Sequence, residues 1–309
     1  MQLKKIIIAA TAGTALLAAA AASVAAAGPA GAAAPKAAAV SNNALVSSAG
    51  KVITPAAAAK LAGADASARG HSSHAPTRVS HLTSAGARPN SVIGPDSRSL
   101  VTATTTFPNS AIVLIKQNGN LWCTGWMISK DTLLSAGHCV TNGSGTWYSG
   151  LTFSPGSNGG NAPFGTCTSR GTYAFNAWIN GGNSNYDTSI IKLNCTVGYS
   201  TGWFGTWWQS ASPNYLSTRV QGYPGDKPST QWVSYDYVRN STADRLLYQN
   251  DTVGGESGSP VFQYRSGQSF CNGYCGMGVH TNGSDGTNNS GVRFTQSKLT
   301  SIYAIVNQP

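Results

Sequence analysis

The chain has 309 residues, of which only 10% are charged, with 36 Gly, 8 Trp and 12 Tyr. That is room for one or two domains with a buried core, and a composition suited to strands and tight turns, not to a highly charged disordered chain. The formal charge of +10 does not mark a nucleic-acid footprint: residues 1 to 90 hold eight Lys and Arg against one Asp, leaving twelve basic and nine acidic residues, a net +3, on the rest.

The amino terminus carries Lys4 and Lys5, then an apolar run over 6–22 that ends in small residues before Ala25, Ala26, Ala27 and Gly28. This order predicts a secretory signal over 1–27 with cleavage near Ala27, and no later stretch is long and apolar enough to span a bilayer. Residues 28–90 are Ala-rich and hold no Cys, Trp, Phe or Tyr. A segment so poor in large apolar side chains is expected to be a flexible or weakly helical pro-segment. His71, His74 and His81 fall within it without acidic or Cys partners at metal-binding spacing, so solvated linker histidines are expected.

Composition changes at Ser91. From there to 309 the periodicity is mostly two, which predicts short strands over 110–115, 123–128, 132–135, 188–193, 217–222, 231–238, 259–262 and 276–280. Clusters of Gly, Asn, Pro and Ser separate them, as in barrels or sandwiches. Only the tail reads as a helix, with Leu299, Ile302, Tyr303 and Val306 on one face after a cap at Thr295 or Ser297.

Six Cys in an exported chain predict disulfides. Cys271 and Cys275 are close enough for a local loop, Cys123 and Cys139 bracket two strands that can pair, and Cys167 and Cys195 remain for each other. Zinc is the rival reading, but the chain has no CxxC pair and few His near these positions, so no metal is expected.

Two histidines lie beyond residue 90, His138 and His280. His138, in SAGHC at 135–139, follows a strand and adjoins an expected disulfide, which suits a held general base. In GGESGSPV at 254–261, glycines flank Ser257, a candidate nucleophile, and let the amides of Gly255 and Ser257 converge on one oxyanion. An α/β-hydrolase elbow needs G-x-S-x-G, whereas position 259 is Ser. Asp187 opens an apolar strand, where it can orient the base. The order His138, Asp187, Ser257 on an all-β background is the chymotrypsin-type order of a Ser-His-Asp triad.

The motifs SVIG at 91–94, CTGWMI at 123–128, SAGHC at 135–139, YDT at 186–188, GYPGDK at 222–227, DTVGGESGSPVF at 251–262 and GVHTNG at 278–283 together resemble secreted bacterial glutamyl endopeptidases, the V8-like and Bacillus-type branch of chymotrypsin-fold serine proteases. The resemblance spans nearly all of 91–309. It implies two six-stranded antiparallel β-barrels, over 91–200 and 201–309, with a C-terminal helix. It also implies a cleft holding His138, Asp187 and Ser257, an oxyanion hole of the Gly255 and Ser257 amides, and His280 with Thr252 in the pocket for the residue before the cut. The new amino terminus at Ser91 is expected near that pocket. Where the family has Asn or Gln before the nucleophile, this chain has Glu256, its only Glu beside nine Asp; Glu256 is expected to point away from the pocket. Scarce Glu suits a protease that spares itself, although compositional bias gives the same count.

The expected function is thus a secreted, extracellular serine endopeptidase, cutting after Glu and less so after Asp. No cofactor is expected. Its partners are protein or peptide substrates and a separate maturation protease, with no nucleic acid, no membrane after signal removal and no second copy. A serine protease of other specificity and a non-catalytic binding module on the same fold are the alternatives.

Overall fold

A computed structural model describes residues 40–63, 70–71, 90–283 and 286–309. The signal expected over 1–27, and His74 and His81, lie outside the described residues.

The first sheet takes β1 (Leu45–Ser47), β2 (Val52–Ile53), β3 (Ile112–Gln117), β4 (Asn120–Met127), β5 (Thr132–Ser135), β6 (Leu151–Pro155), β7 (Ser169–Phe175) and β8 (Ser189–Leu193). Their spatial order is β2-β1-β7-β8-β5-β4-β3-β6. Between β3 and β4, Asn118 and Gly119 both have positive φ (50° and 84°), the backbone of a two-residue hairpin turn whose twist matches the strands. The second sheet takes β9 (Gly205–Thr206), β10 (Ser217–Gly222), β11 (Trp232–Ser241), β12 (Arg245–Tyr248), β13 (Pro260–Arg265), β14 (Gly273–Asn282) and β15 (Asn289–Arg293). Six of these close into a barrel, β14-β13-β10-β11-β12-β15, because β15 pairs back onto β14. The fold is chymotrypsin-like and all-β, as expected.

Where the two sheets meet, the Phe204 ring lies 5.5 Å from Trp126 of β4 and 5.1 Å from Phe262 of β13, all three buried. Disulfides join Cys123 to Cys139, Cys167 to Cys195 and Cys271 to Cys275, the pairing the spacing suggests. The C-terminal helix is present over Gln296–Val306, and the Thr295 side chain caps it by accepting the Lys298 N–H.

One expectation is met only in part. Residues 40–63, expected from composition to be flexible or weakly helical, fold onto the first sheet as two strands and a helix. β1 pairs antiparallel with β7, Leu45 opposite Phe175, and helix α1 (Pro55–Ala62) packs on the C-terminal helix, α2. Leu45, Ile53, Ala58 and Ala62 are buried. The segment has too few large side chains to build a core of its own, but it borrows one: β7 supplies the open ladder and α2 the apolar face. The strand pattern also missed β6, β7, β9, β12 and β15, each of which sets Gly, Ser, Thr, Pro or Arg into the alternation.

Candidate active site

Strands β5 and β8 are neighbours, with Ser135 opposite Ser189. The residues just beyond one and just before the other therefore converge: His138, in the single turn Gly137–Cys139, and Asp187, which ends the turn Ser184–Tyr186. Asp187 is buried, and each of its oxygens has a partner, the His138 backbone N–H at 2.8 Å and the His138 Nδ1 at 2.8 Å. A carboxylate only accepts, so Nδ1 carries the proton and Nε2 is left as the basic nitrogen. Burial lowers the His138 pKa, but the adjacent Asp187 charge and hydrogen bond outweigh it and hold it above its ordinary value.

Ser257 sits in the turn before β13, and β4 of the first sheet holds that turn. The Thr124 N–H donates to the Ser257 carbonyl at 2.9 Å and the Thr124 hydroxyl to the Gly255 carbonyl at 2.9 Å. The residue before Thr124 is Cys123, which the disulfide ties to Cys139 beside His138. One strand thus registers the Ser257 turn against His138. Within the turn, Glu256 N–H bonds the Val253 carbonyl, Gly258 N–H bonds the His280 carbonyl and Ser259 N–H bonds the Glu256 carbonyl. The Gly255 and Ser257 N–H groups take none of these bonds. Gly255 has φ +103°, and a Cβ there would stand 2.6 Å from the Tyr223 carbonyl, so no other residue fits.

His280 of β14 is buried beside this turn, its backbone N–H bonded to the Ser259 carbonyl and its Nδ1 2.8 Å from the Tyr248 hydroxyl. Burial, helped by the positive charges of His138 and Arg245, pushes its pKa down to about 3, so the ring is neutral. Thr252 is buried in the short strand Thr252–Val253, which pairs with Asn90–Ser91, Thr252 opposite Ser91. Asp251, one residue earlier, accepts the Ile93 N–H at 2.7 Å and both the N–H and hydroxyl of Ser97.

Glu256 is buried as well. Its Oε2 accepts the Val253 N–H at 2.8 Å and lies 3.9 Å from Arg98 Nη1. Arg98 already forks onto both Asp96 and Asp226, so its charge is largely spent elsewhere. Burial therefore prevails and raises the Glu256 carboxyl to about 8.

Residues 101–301 match the family model described as Trypsin. The chain belongs to the trypsin family. Within it, the chain is similar to a glutamyl endopeptidase of Bacillus licheniformis, 41% identical over 210 residues, which span 67% of this chain and 66% of that one, just short of two thirds of that relative's length. It is also similar to a Bacillus subtilis protein named extracellular metalloprotease, 35% identical over 228 residues, 72% of this chain and 71% of that one. A solved Glu endopeptidase superposes with a TM-score of 0.63 at 29% identity, covering 70% of this chain and all of the other.

Among the described residues, the one group of potential ligands close enough together is Cys123, His138 and Cys139, and its two sulfurs are consumed by their mutual disulfide. Among the same residues no helix is long and apolar enough to cross a membrane.

Three residues that contact the trypsin-family site carry no local signal. Tyr248, Asp251 and Arg98 act on His280, on 93–97 and on Glu256 across the fold. Asp251 lies 158 and 154 positions from Ile93 and Ser97, and Arg98 lies 158 from Glu256.

Proposed function

We propose that the protein is a secreted serine endopeptidase that cuts peptide bonds after Glu, and less readily after Asp. The observation that carries the catalytic half is the two-point clamp of Asp187 on His138, both contacts at 2.8 Å. Ser257 attacks the peptide carbonyl, His138 Nε2 takes its proton and later returns it to the leaving amine, and Asp187 stabilises the imidazolium between these steps. The N–H groups of Gly255 and Ser257 receive the oxyanion of each tetrahedral intermediate. The acyl-enzyme is then hydrolysed by water with His138 again as base.

For the side chain before the cut, His280 and Thr252 offer neutral donors to a carboxylate. Hydrogen bonds to a charged acceptor contribute about 1.5–3 kcal/mol each, so Glu exceeds Gln by about tenfold or more. Asp251 argues against a preference for Lys or Arg, since backbone N–H groups and the Ser97 hydroxyl already occupy its two oxygens. Maturation next to Ser91 falls to a separate protease, because residues 28–90 contain no Glu and Asp65 is their one acid.

A fluorogenic panel varying only the residue before the cut tests this reading, with fluorophosphonate labelling of Ser257 reporting an intact nucleophile. Glu should lead the panel, and His280→Ala should lower kcat/KM for Glu by about tenfold or more while labelling persists. Equal cleavage after Glu and Gln would remove the specificity. Absence of labelling in the wild type would favour a binding module on the same fold.

A further inference from the structure

The ring of His280 has one proton to place, and which nitrogen carries it decides what the residue offers a substrate. A phenol and a neutral imidazole at 2.8 Å can share a hydrogen bond in two ways. Either Tyr248 O–H donates to Nδ1, leaving the proton on Nε2, or Nδ1–H donates to the Tyr248 oxygen, leaving Nε2 bare. The surroundings separate the two. Tyr248 is completely buried, and burial raises its pKa, so the phenol keeps its proton. Among the described residues that hydroxyl has no hydrogen-bond partner besides His280. In the second arrangement its proton is stranded in the barrel interior, which buried polar groups strongly avoid.

The strand layout shows how the contact is built. Tyr248 lies on β12 and His280 on β14, with β15 between them; Tyr248 is opposite Asn289, and Gly291 is opposite His280. A side chain at 291 would place its Cβ 3.0 Å from the Tyr248 hydroxyl and 2.5 Å from the Val279 carbonyl. Glycine at 291 leaves the space through which the phenol crosses one strand to reach the ring on the next.

We propose that Tyr248 is a positioning residue that locks His280 as the Nε2–H tautomer, and so makes it a hydrogen-bond donor to the carboxylate of the residue before the cut. This rests on the reading of His280 as a substrate contact. Without Tyr248 the ring has no partner to fix its tautomer. A ring with the proton on Nδ1 meets the carboxylate with a lone pair, which repels it. The lock thus acts on substrates with an acidic side chain and is indifferent to apolar ones.

Two measurements test it on the full chain. In ¹⁵N-histidine-labelled Ser257→Ala protein, the ring spectrum of His280, assigned by its loss in His280→Ala, should show a protonated Nε2 and an unprotonated, hydrogen-bonded Nδ1. In Tyr248→Phe that pattern should give way to a mixture or to the Nδ1–H form. With Ser257 intact, Tyr248→Phe should lower the ratio of kcat/KM for Glu to that for Leu by about tenfold, the scale of one lost hydrogen bond to a charged group. A wild-type spectrum with the proton on Nδ1, or a Glu to Leu ratio unmoved by Tyr248→Phe, overturns the lock. A wild type with no preference for Glu overturns the pocket reading instead, and the ring spectrum then still decides whether Tyr248 sets the tautomer. A Tyr248→Phe protein that fails to label with fluorophosphonate is replaced by the wild-type spectrum, which alone decides.

Discussion

Glu256 is the residue whose surroundings depart most from those of an ordinary carboxylate. The family resemblance implies a side chain turned from the pocket; in the fold Glu256 is buried against the Val253 N–H and Arg98. The burial also has a sign that pH reveals. A group whose folded pKa rises from 4.5 to about 8 keeps its proton when folded and loses it when unfolded throughout that window. The unfolded state then binds fewer protons, so stability falls as pH rises, by about 1.4 kcal/mol per unit from this residue alone. Below about pH 4.5 both states are protonated and the contribution is constant. Glu256→Gln keeps an oxygen for the Val253 N–H and cannot ionise. Urea melts of Ser257→Ala and of Ser257→Ala with Glu256→Gln, taken from pH 5 to 8, should diverge, the Gln protein holding its stability as the Glu protein loses it. Parallel curves would mean that Arg98 already keeps Glu256 ionised. His138, Asp187, Ser257 and Gly255, nominated by their residue types and order, and His280 and Thr252, nominated by the family resemblance, sit in short motifs recognisable within a few positions. Arg98 and Tyr248 were invisible because a buried Arg or Tyr is defined by what lies across the fold, and no local spacing encodes that.

At the scale of elements, the strands with clean alternation were legible and those with mixed faces were not. β3, β4, β5 and β8 carry apolar runs that leave one interpretation, and their observed bounds differ from the expected ones by a few residues at most. β12 reads Arg-Leu-Leu-Tyr and is buried throughout, its Arg245 satisfied by the Ser184 carbonyl, Thr281, Asn282 and Ser290. A charged residue that finds four polar partners in the interior breaks the pattern that marks a strand. The larger miss was 40–63, since composition reports what a segment can bury by itself and not what it can cover. β1 extends the sheet beyond β7, and Leu45 enters the main core with no exposed surface. Leu45→Ala in the Ser257→Ala precursor should therefore cost about 2–5 kcal/mol, as core truncations do, whereas Val52→Ala, at a residue 45% exposed, should cost little. The difference between the two in chemical denaturation is the measurement. Equal, small effects would mean that 40–63 does not belong to the cooperative unit.

At the scale of the whole molecule, the backbone at Asn90–Ser91 pairs with the strand that holds Thr252, and under the maturation proposed next to Ser91 this shapes what cleavage can do. Asp251 fixes Ile93 and Ser97 through three hydrogen bonds, and the backbone at Asn90–Ser91 continues as a strand against Thr252–Val253. The approach of Ser91 to Thr252 is thus held by contacts within 93–97 that need no cleavage. What cleavage adds is charge. An amide nitrogen at Ser91 is neutral, whereas a released α-amino group, with a reference pKa of about 7.7–8.0, is largely cationic at neutral pH and can attract the carboxylate bound beside Thr252 and His280. The neutral state of His280 sharpens the point, because the His280 ring supplies a donor but no positive charge. The unprocessed chain should therefore be weak chiefly toward Glu substrates and much less so toward Leu substrates. Protein beginning at Ser91 is to be compared with protein carrying one extra residue before it, each assayed on Glu and Leu substrates from pH 6 to 9. The Glu to Leu ratio should be higher for the form beginning at Ser91 and should fall toward that of the extended form as pH passes about 8, where the amine loses its proton. Full Glu preference in the extended form would show that the donors alone select the substrate. Processing of a Ser257→Ala precursor at the same bond in the native host, but not in a host lacking secreted proteases, would establish that another enzyme makes the cut; processing that requires Ser257 would refute it.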